Sequence, residues 1–171
     1  MRKILDSTSP VLRKKSRPVA KITKDTVNLV NEMIEAMKHS KPRGVGLAAP
    51  QIGELVRIII MNFEGNNIVM VNPEIVSGEG SCVYKEGCLS VPGLWAEVKR
   101  NAKIKYRCIN MKGKVIEGTA EGMFARVLQH EIDHLDGILF IDYLEPGQEI
   151  ELDEEYPLPK DLADRLLKGS K

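Results

Sequence analysis

The residues with the clearest chemical potential are His130, Glu131 and His134, in the run HEIDH. On an α-helix, positions i and i+4 project from one face with Cβ atoms about 5–6 Å apart, so both imidazoles can reach one cation. Glu131 stands between them where a general base is needed, and the pattern H-E-x-x-H signals metal-dependent hydrolysis. A catalytic metal keeps three protein ligands and one open position for water, so the pair needs a third donor.

Gly137 extends the run to H-E-x-x-H-x-x-G, but Phe140 occupies the position where one large metallopeptidase group places its third histidine. The remaining histidine, His39, falls at the end of an amphipathic helix and reads as a solvated helix-end residue. Glu149 and Glu151 lie in an acidic run, and such runs are usually solvated. Cys88, set in Glu86-Gly87-Cys88-Leu89-Ser90, has the most distinctive setting. As a thiolate it would make a Cys-His-His site, suited to zinc or ferrous iron.

Three segments in order, GVGLAAPQ (Gly44 to Gln51), EGCLS (Glu86 to Ser90) and QHEIDHLDG (Gln129 to Gly137), resemble the three motifs of the peptide deformylase family. The resemblance covers most of the chain, from the Pro10-Val11-Leu12-Arg13 segment to about Leu144. It implies removal of the formyl group from N-formylmethionyl nascent peptides, with release of formate. It also implies one metal ion per chain, held by Cys88, His130 and His134, commonly Fe2+ with Zn2+, Ni2+ or Co2+ able to substitute. Gly44, Val45, Gly46, Glu86 and Gly87 of the same motifs are then expected to contact substrate, with the backbone N–H of Leu89 donating to the oxyanion.

Hydrolysis of a formamide needs a nucleophilic water, an oxyanion holder and a proton donor for the leaving amine. Water activated by the metal, with Glu131 first taking and then returning the proton, meets the first and last needs. Gln51 is a neutral amide donor that can bond the developing oxyanion without adding charge. A thiolate ligand weakens the metal as a Lewis acid, so Gln51 is expected to matter strongly. Gly44 and Gly46 flank Val45 in a loop where missing side chains would let backbone approach a ligand and pair with an extended peptide. Val45, Met123 and Val127 are candidates for the pocket taking the methionine side chain, ordinary core packing being the alternative for the last two. Arg126 reads as an ion-pair residue rather than a substrate contact, and Trp95 as a pocket rim or a sheet-packing residue.

Two rival readings remain. The same helix motif would suit a metallopeptidase of another kind, which the missing third histidine and the cysteine motif oppose. A metal-stabilised binding module would have no use for Glu131 and Gln51.

These residues require elements to hold them. Val27, Val30, Met33, Ile34 and Met37 recur at helical spacing and predict a long amphipathic helix from Thr23 to Lys38, ended by the sequence around Pro42 and Gly44, where a Gly-rich loop begins. Leu55 to Met61 and Ile68 to Val71 predict paired antiparallel strands joined through Gly65-Asn66-Asn67. Trp95 to Arg100, Ala102 to Ile109 and Lys114 to Ala120 are strand-like, with Cys108 on the core face. A helix from Met123 to Asp136 carries HEIDH, with Gly137 as its cap. The segment from Pro146 to Pro159 predicts an irregular or edge stretch before a short helix, Lys160 to Leu167. The expectation is an α+β domain over residues 1–171, with antiparallel or mixed sheets packed around the metal-binding helix.

At 171 residues and 43% hydrophobic composition the chain fits one domain with a sizeable core. A net charge of +1 gives no footprint for nucleic acid or an anionic membrane. With 5% aromatic residues there is little material for base stacking. The N-terminus lacks an apolar signal region, and three sparse cysteines do not make a disulfide framework. A cytoplasmic protein is expected. Some members of the resembled family dock on the ribosome through a long basic terminal helix. Here the tail from about residue 146 is acidic and broken by Pro146, Pro157 and Pro159, which leaves the ribosome surface as a partner by resemblance only.

Overall fold

The run Ile58-Ile59-Ile60-Met61 is buried along its whole length because its strand is covered on both faces. Ile58 and Ile60 point to a layer built on the first helix with Met33 and Met37, while Ile59 and Met61 point to a second layer with Leu128, Ile132 and Leu135 of the HEIDH helix. Each such aliphatic side chain contributes about 1.5–3 kcal/mol on burial.

The computed structural model describes residues 2–167. In chain order the elements are α1 (Lys24–Lys38), β1 (Gly46–Ala48), β2 (Ile58–Phe63), β3 (Asn66–Glu79), β4 (Cys82–Cys88), β5 (Val91–Arg100), β6 (Lys103–Ile109), β7 (Val115–Glu121), α2 (Gly122–Leu135), β8 (Ile150–Leu152) and α3 (Lys160–Leu167). Short 3-10 turns occupy Pro10–Arg13, Ala49–Ile52 and Phe140–Tyr143. One sheet has the order β1-β2-β3-β6-β7 and the other β4-β5-β8, with antiparallel neighbours throughout. No helix among the described residues is long and apolar enough to cross a membrane.

Local chemistry accounts for the helix ends. Thr23 caps α1: its hydroxyl accepts from the Thr26 N–H, and the Thr26 hydroxyl accepts from the Thr23 N–H at 3.1 Å. Gly137 follows the end of α2 at φ +77°, where its missing Cβ also leaves room for the carbonyl of Arg13. The N-terminal segment thereby closes over that end, and the Ser16 N–H donates to the Leu135 carbonyl at 2.8 Å.

Several strands depart from the sequence pattern. The β2–β3 turn is Glu64-Gly65, with φ of +51° and +81°, so Asn66 lies in the strand opposite Phe63. Two left-handed residues match the twist of a two-residue hairpin, and Glu64 takes a place more often held by asparagine. β3 continues past Val71 to Glu79 because register shifts between Val71 and Glu74 and between Ile75 and Ser77 absorb the break in alternation at Pro73. The Gly-rich loop contains a strand, β1. β4 was hidden because its residues Cys82 to Lys85 are exposed and carry no apolar alternation. In the tail, β8 adds an edge strand to β5, and Leu162 and Leu166 of α3 pack with Leu12, Leu94 and Phe140 in a third buried layer.

Candidate active site

α2 presents His130, Glu131 and His134 from a stretch buried almost all round, from Ala125 to Ile132. β4 ends on Cys88, just past a register shift against β5 that begins at Glu86, and the two-residue turn Leu89-Ser90 follows. The 3-10 turn after β1 carries Gln51, which is buried. Elements far apart in sequence thus converge. One ligand atom from each of Cys88, His130 and His134 lies within 4.8 Å of the other two, and Cys88 Sγ is 3.4 Å from His134 Nε2. This donor set, one sulfur and two imidazole nitrogens in a buried setting, fits a divalent metal ion. His39 is exposed at the end of α1 with its Nδ1 2.9 Å from the Glu35 carbonyl, and Glu149 and Glu151 are exposed, so none of the three joins the group.

His130 is oriented by Glu86, whose Oε2 lies 2.8 Å from Nδ1, which leaves Nε2 facing the cluster. Glu86, expected to touch substrate, lines the cavity, and its buried carboxylate is held by two arginines. Arg100 donates to it from Nε at 2.6 Å and Nη2 at 2.9 Å, and Arg126 donates from Nη1 at 2.7 Å. Burial pushes the Glu86 carboxyl up, but the hydrogen bonds from His130 and Arg100 outweigh it and hold the group at about 2. Arg126 is therefore the ion-pair residue its sequence suggested, and it further ties α2 to the Val98 and Cys82 carbonyls at 2.9 and 2.6 Å. Phe140, in place of a third histidine, stacks on His130 with ring centroids 6.0 Å apart.

Burial pulls His130 down, yet the neighbouring Cys88 and Glu86 hold it well above the usual histidine range; a cation at the centre would replace that proton. Burial, then the charge of His130, keeps His134 well below that range and hence neutral, the form a metal ligand takes. Glu131 is pushed up to about 7, chiefly by burial, with the charge of His130 acting against it. Its Oε2 is buried without a hydrogen-bond partner. A carboxyl poised near neutrality beside the ligand cluster can take and give a proton.

The cluster opens on a cavity of about 310 Å³. Gly44, Val45 and Gly46 form one wall, with Val45 56% exposed, and β1 is the open edge of its sheet. A Cβ on Gly46 would collide with the Glu131 carboxylate, and one on Gly44 would lie 2.5 Å from Leu89 Cδ1, so the missing side chains admit protein groups. Gly87 on β4, itself an open edge, and Leu89 in the turn after it form another part of the wall. The Trp95 indole reaches this wall by crossing Gly87, where a Cβ would be 2.6 Å from Nε1. Met123 lines the cavity 47% exposed, whereas Val127 is buried and serves both the cavity and the core.

Sequence reasoning missed Ser90, Arg100, Asp133 and Tyr143. Gln51 Oε1 accepts from the Ala48 N–H at 2.8 Å, which turns Nε2 toward Cys88 Sγ at 3.7 Å and Ser90 Oγ at 3.1 Å. Arg100 Nη1 donates to Asp133 at 2.7 Å, and the Tyr143 hydroxyl donates to the same oxygen at 2.9 Å. A signal for Arg100 was available: it shares the buried strand face of Ala96 and Val98, where an arginine needs an internal partner.

The fold and site are those of a hydrolase whose cavity ends on a Cys-His-His group able to hold a metal ion. The chain belongs to the polypeptide deformylase family, whose model matches residues 1–149. It is 47% identical over 142 residues to the peptide deformylase of Dictyoglomus turgidum, covering 83% of this chain and 90% of that protein. It is 49% identical over 144 residues to that of Halothermothrix orenii, with the same coverages. Among solved structures, a peptide deformylase from Legionella pneumophila superposes with a TM-score of 0.81 at 45% identity, covering 85% of this chain and 87% of that one. The Thermotoga maritima enzyme gives 0.81 at 41% identity, covering 85% of this chain and 99% of that one.

Proposed function

We propose that this chain, as one catalytic unit, removes the formyl group from the N-terminal formylmethionine of newly made polypeptides in the cytoplasm, with a metal ion held by Cys88, His130 and His134. The observation that carries the reading is the convergence on one cavity of those ligand atoms, the Glu131 carboxylate and the Gln51 amide, in a member of this family. When bound, a divalent ion such as Fe2+, with Zn2+, Ni2+ or Co2+ as substitutes, supplies Lewis acidity to water and to the formyl carbonyl.

The protein groups do the rest. Glu131 takes a proton from the attacking water as its oxygen bonds to the formyl carbon. Gln51 Nε2, fixed by the Ala48 N–H, donates to the carbonyl oxygen as that oxygen becomes negative, and the Leu89 N–H donates from the turn after Cys88. Glu131 then passes its proton to the amine nitrogen, the C–N bond breaks, and formate and a free N-terminus remain. The peptide lies extended between the open edges of β1 and β4, with the methionine side chain toward Val45, Met123 and Val127.

The test is formate release by protein purified without oxygen, with its metal content measured. Formyl-methionyl peptides are expected to react and the same peptides with a free amine to stay intact. A metal-free, inactive product under those conditions would overturn the reading.

A further inference from the structure

The outer face of the β4-β5-β8 sheet carries Lys85 and Gly87 on β4, Trp95 and Glu97 on β5, and Glu151 on β8, because Lys85 is registered with Glu97 and Trp95 with Glu151. Lys85, Gly87 and Trp95 line the cavity. Glu151 does not line it, but its carboxylate accepts from Lys85 Nζ at 2.5 Å. β8 lies beyond residues 1–149 that the family model matches, and it is locked to the Trp95 strand by the Asp153 N–H, which donates to the Gly93 carbonyl at 2.7 Å.

We propose that Glu151 is a specificity-determining residue that, acting through Lys85 at the cavity rim, sets the charge preference for the residues following the formylated one. The inference rests on the deformylase reading of the cavity. With Glu151 on Lys85, Glu97 in register opposite it and Glu149 close by, three carboxylates surround the one ammonium that lines this part of the cavity. Arg43 also lines the cavity and has no ion-pair partner among the described residues. Charge around the cavity is therefore uneven, net negative about Lys85 and positive at Arg43. A basic residue in the peptide is favoured beside Lys85 and Glu151, and an acidic one is disfavoured there. The groups are exposed, so the effect is modest and screened by salt.

The experiment compares kcat/KM of the metal-loaded enzyme for two formyl-methionyl tripeptide series, with glutamate or lysine at the second or third position. Glu151→Lys is expected to raise the acidic-to-basic ratio by about two- to fivefold, carried by KM and shrinking in about 0.5 M salt. Glu151→Gln is expected to shift it the same way by less. Glu117→Lys makes the same charge change on β7 of the other sheet and is expected to leave the ratio where it is. An unchanged ratio in both Glu151 variants, or an equal change in Glu117→Lys, overturns the proposal while leaving deformylation intact. A wild-type enzyme that cleaves no formylated peptide instead overturns the reading on which it stands.

Discussion

Gly46 packs directly against the carboxylate of Glu131, closely enough that no side chain fits between the β1 strand and the proposed base. The strand edge proposed to receive a peptide and the proposed base are therefore in direct contact. Gly46 does not have a left-handed backbone, so alanine there brings steric overlap without backbone strain. Gly46→Ala is expected to push Glu131 out of place and to lower kcat about 10²-fold, as a displacement near 1 Å does at a reacting centre, with metal content full. Normal turnover in that variant would show that the Glu131 position is not critical.

Gln51→Ala removes the proposed oxyanion donor and is expected to lower kcat by about 10²–10³ while metal stays bound. Ser90 holds the same amide at 3.1 Å and is fully buried, so it should act through Gln51. Ser90→Ala is expected to slow the wild type by about tenfold, the effect of losing roughly 1.4 kcal/mol of donor alignment, and to add nothing to Gln51→Ala. Additive losses in the double variant would mean that Ser90 works independently.

The Glu86 cluster makes stability depend on pH. Its folded value, about 2, lies below the ordinary 4.5, so its contribution is complete above the ordinary value and drains away as pH falls toward the folded one. Glu86→Gln leaves Arg126 without a carboxylate, although Asp133 still pairs Arg100. We expect a loss of about 3 kcal/mol near neutral pH by urea unfolding of the metal-loaded protein. The gap between variant and wild type should narrow on acidification through that window; a constant gap would place the effect outside ionisation.

Removing metal with a chelator is expected to abolish turnover and to lower Tm, since Cys88, His130 and His134 then face one another in a buried site with no shared cation. Activity should return on adding back Fe2+ or Ni2+ without oxygen. Full turnover in chelated protein, with metal shown to be absent by mass spectrometry, would exclude the proposed centre.

What the sequence by itself determined was chemistry carried by short-range periodicity. His130 and His134 share a helix face because they are four residues apart, and Cys108 faces a core because its strand alternates. That Cys88, rather than His39 or the tail carboxylates, lies beside the two histidines was also legible, from its setting in EGCLS. Only the tertiary structure decided the contacts between distant elements. That Glu86 supports His130, that Gly46 makes room for Glu131 and Gly87 for Trp95, and that Ser90 steers Gln51 all depend on how β1, β4, β5 and α2 pack. Periodicity encodes which face of an element is buried; the partner across that face is set by packing of segments far apart in the chain, for which local spacing carries no signal.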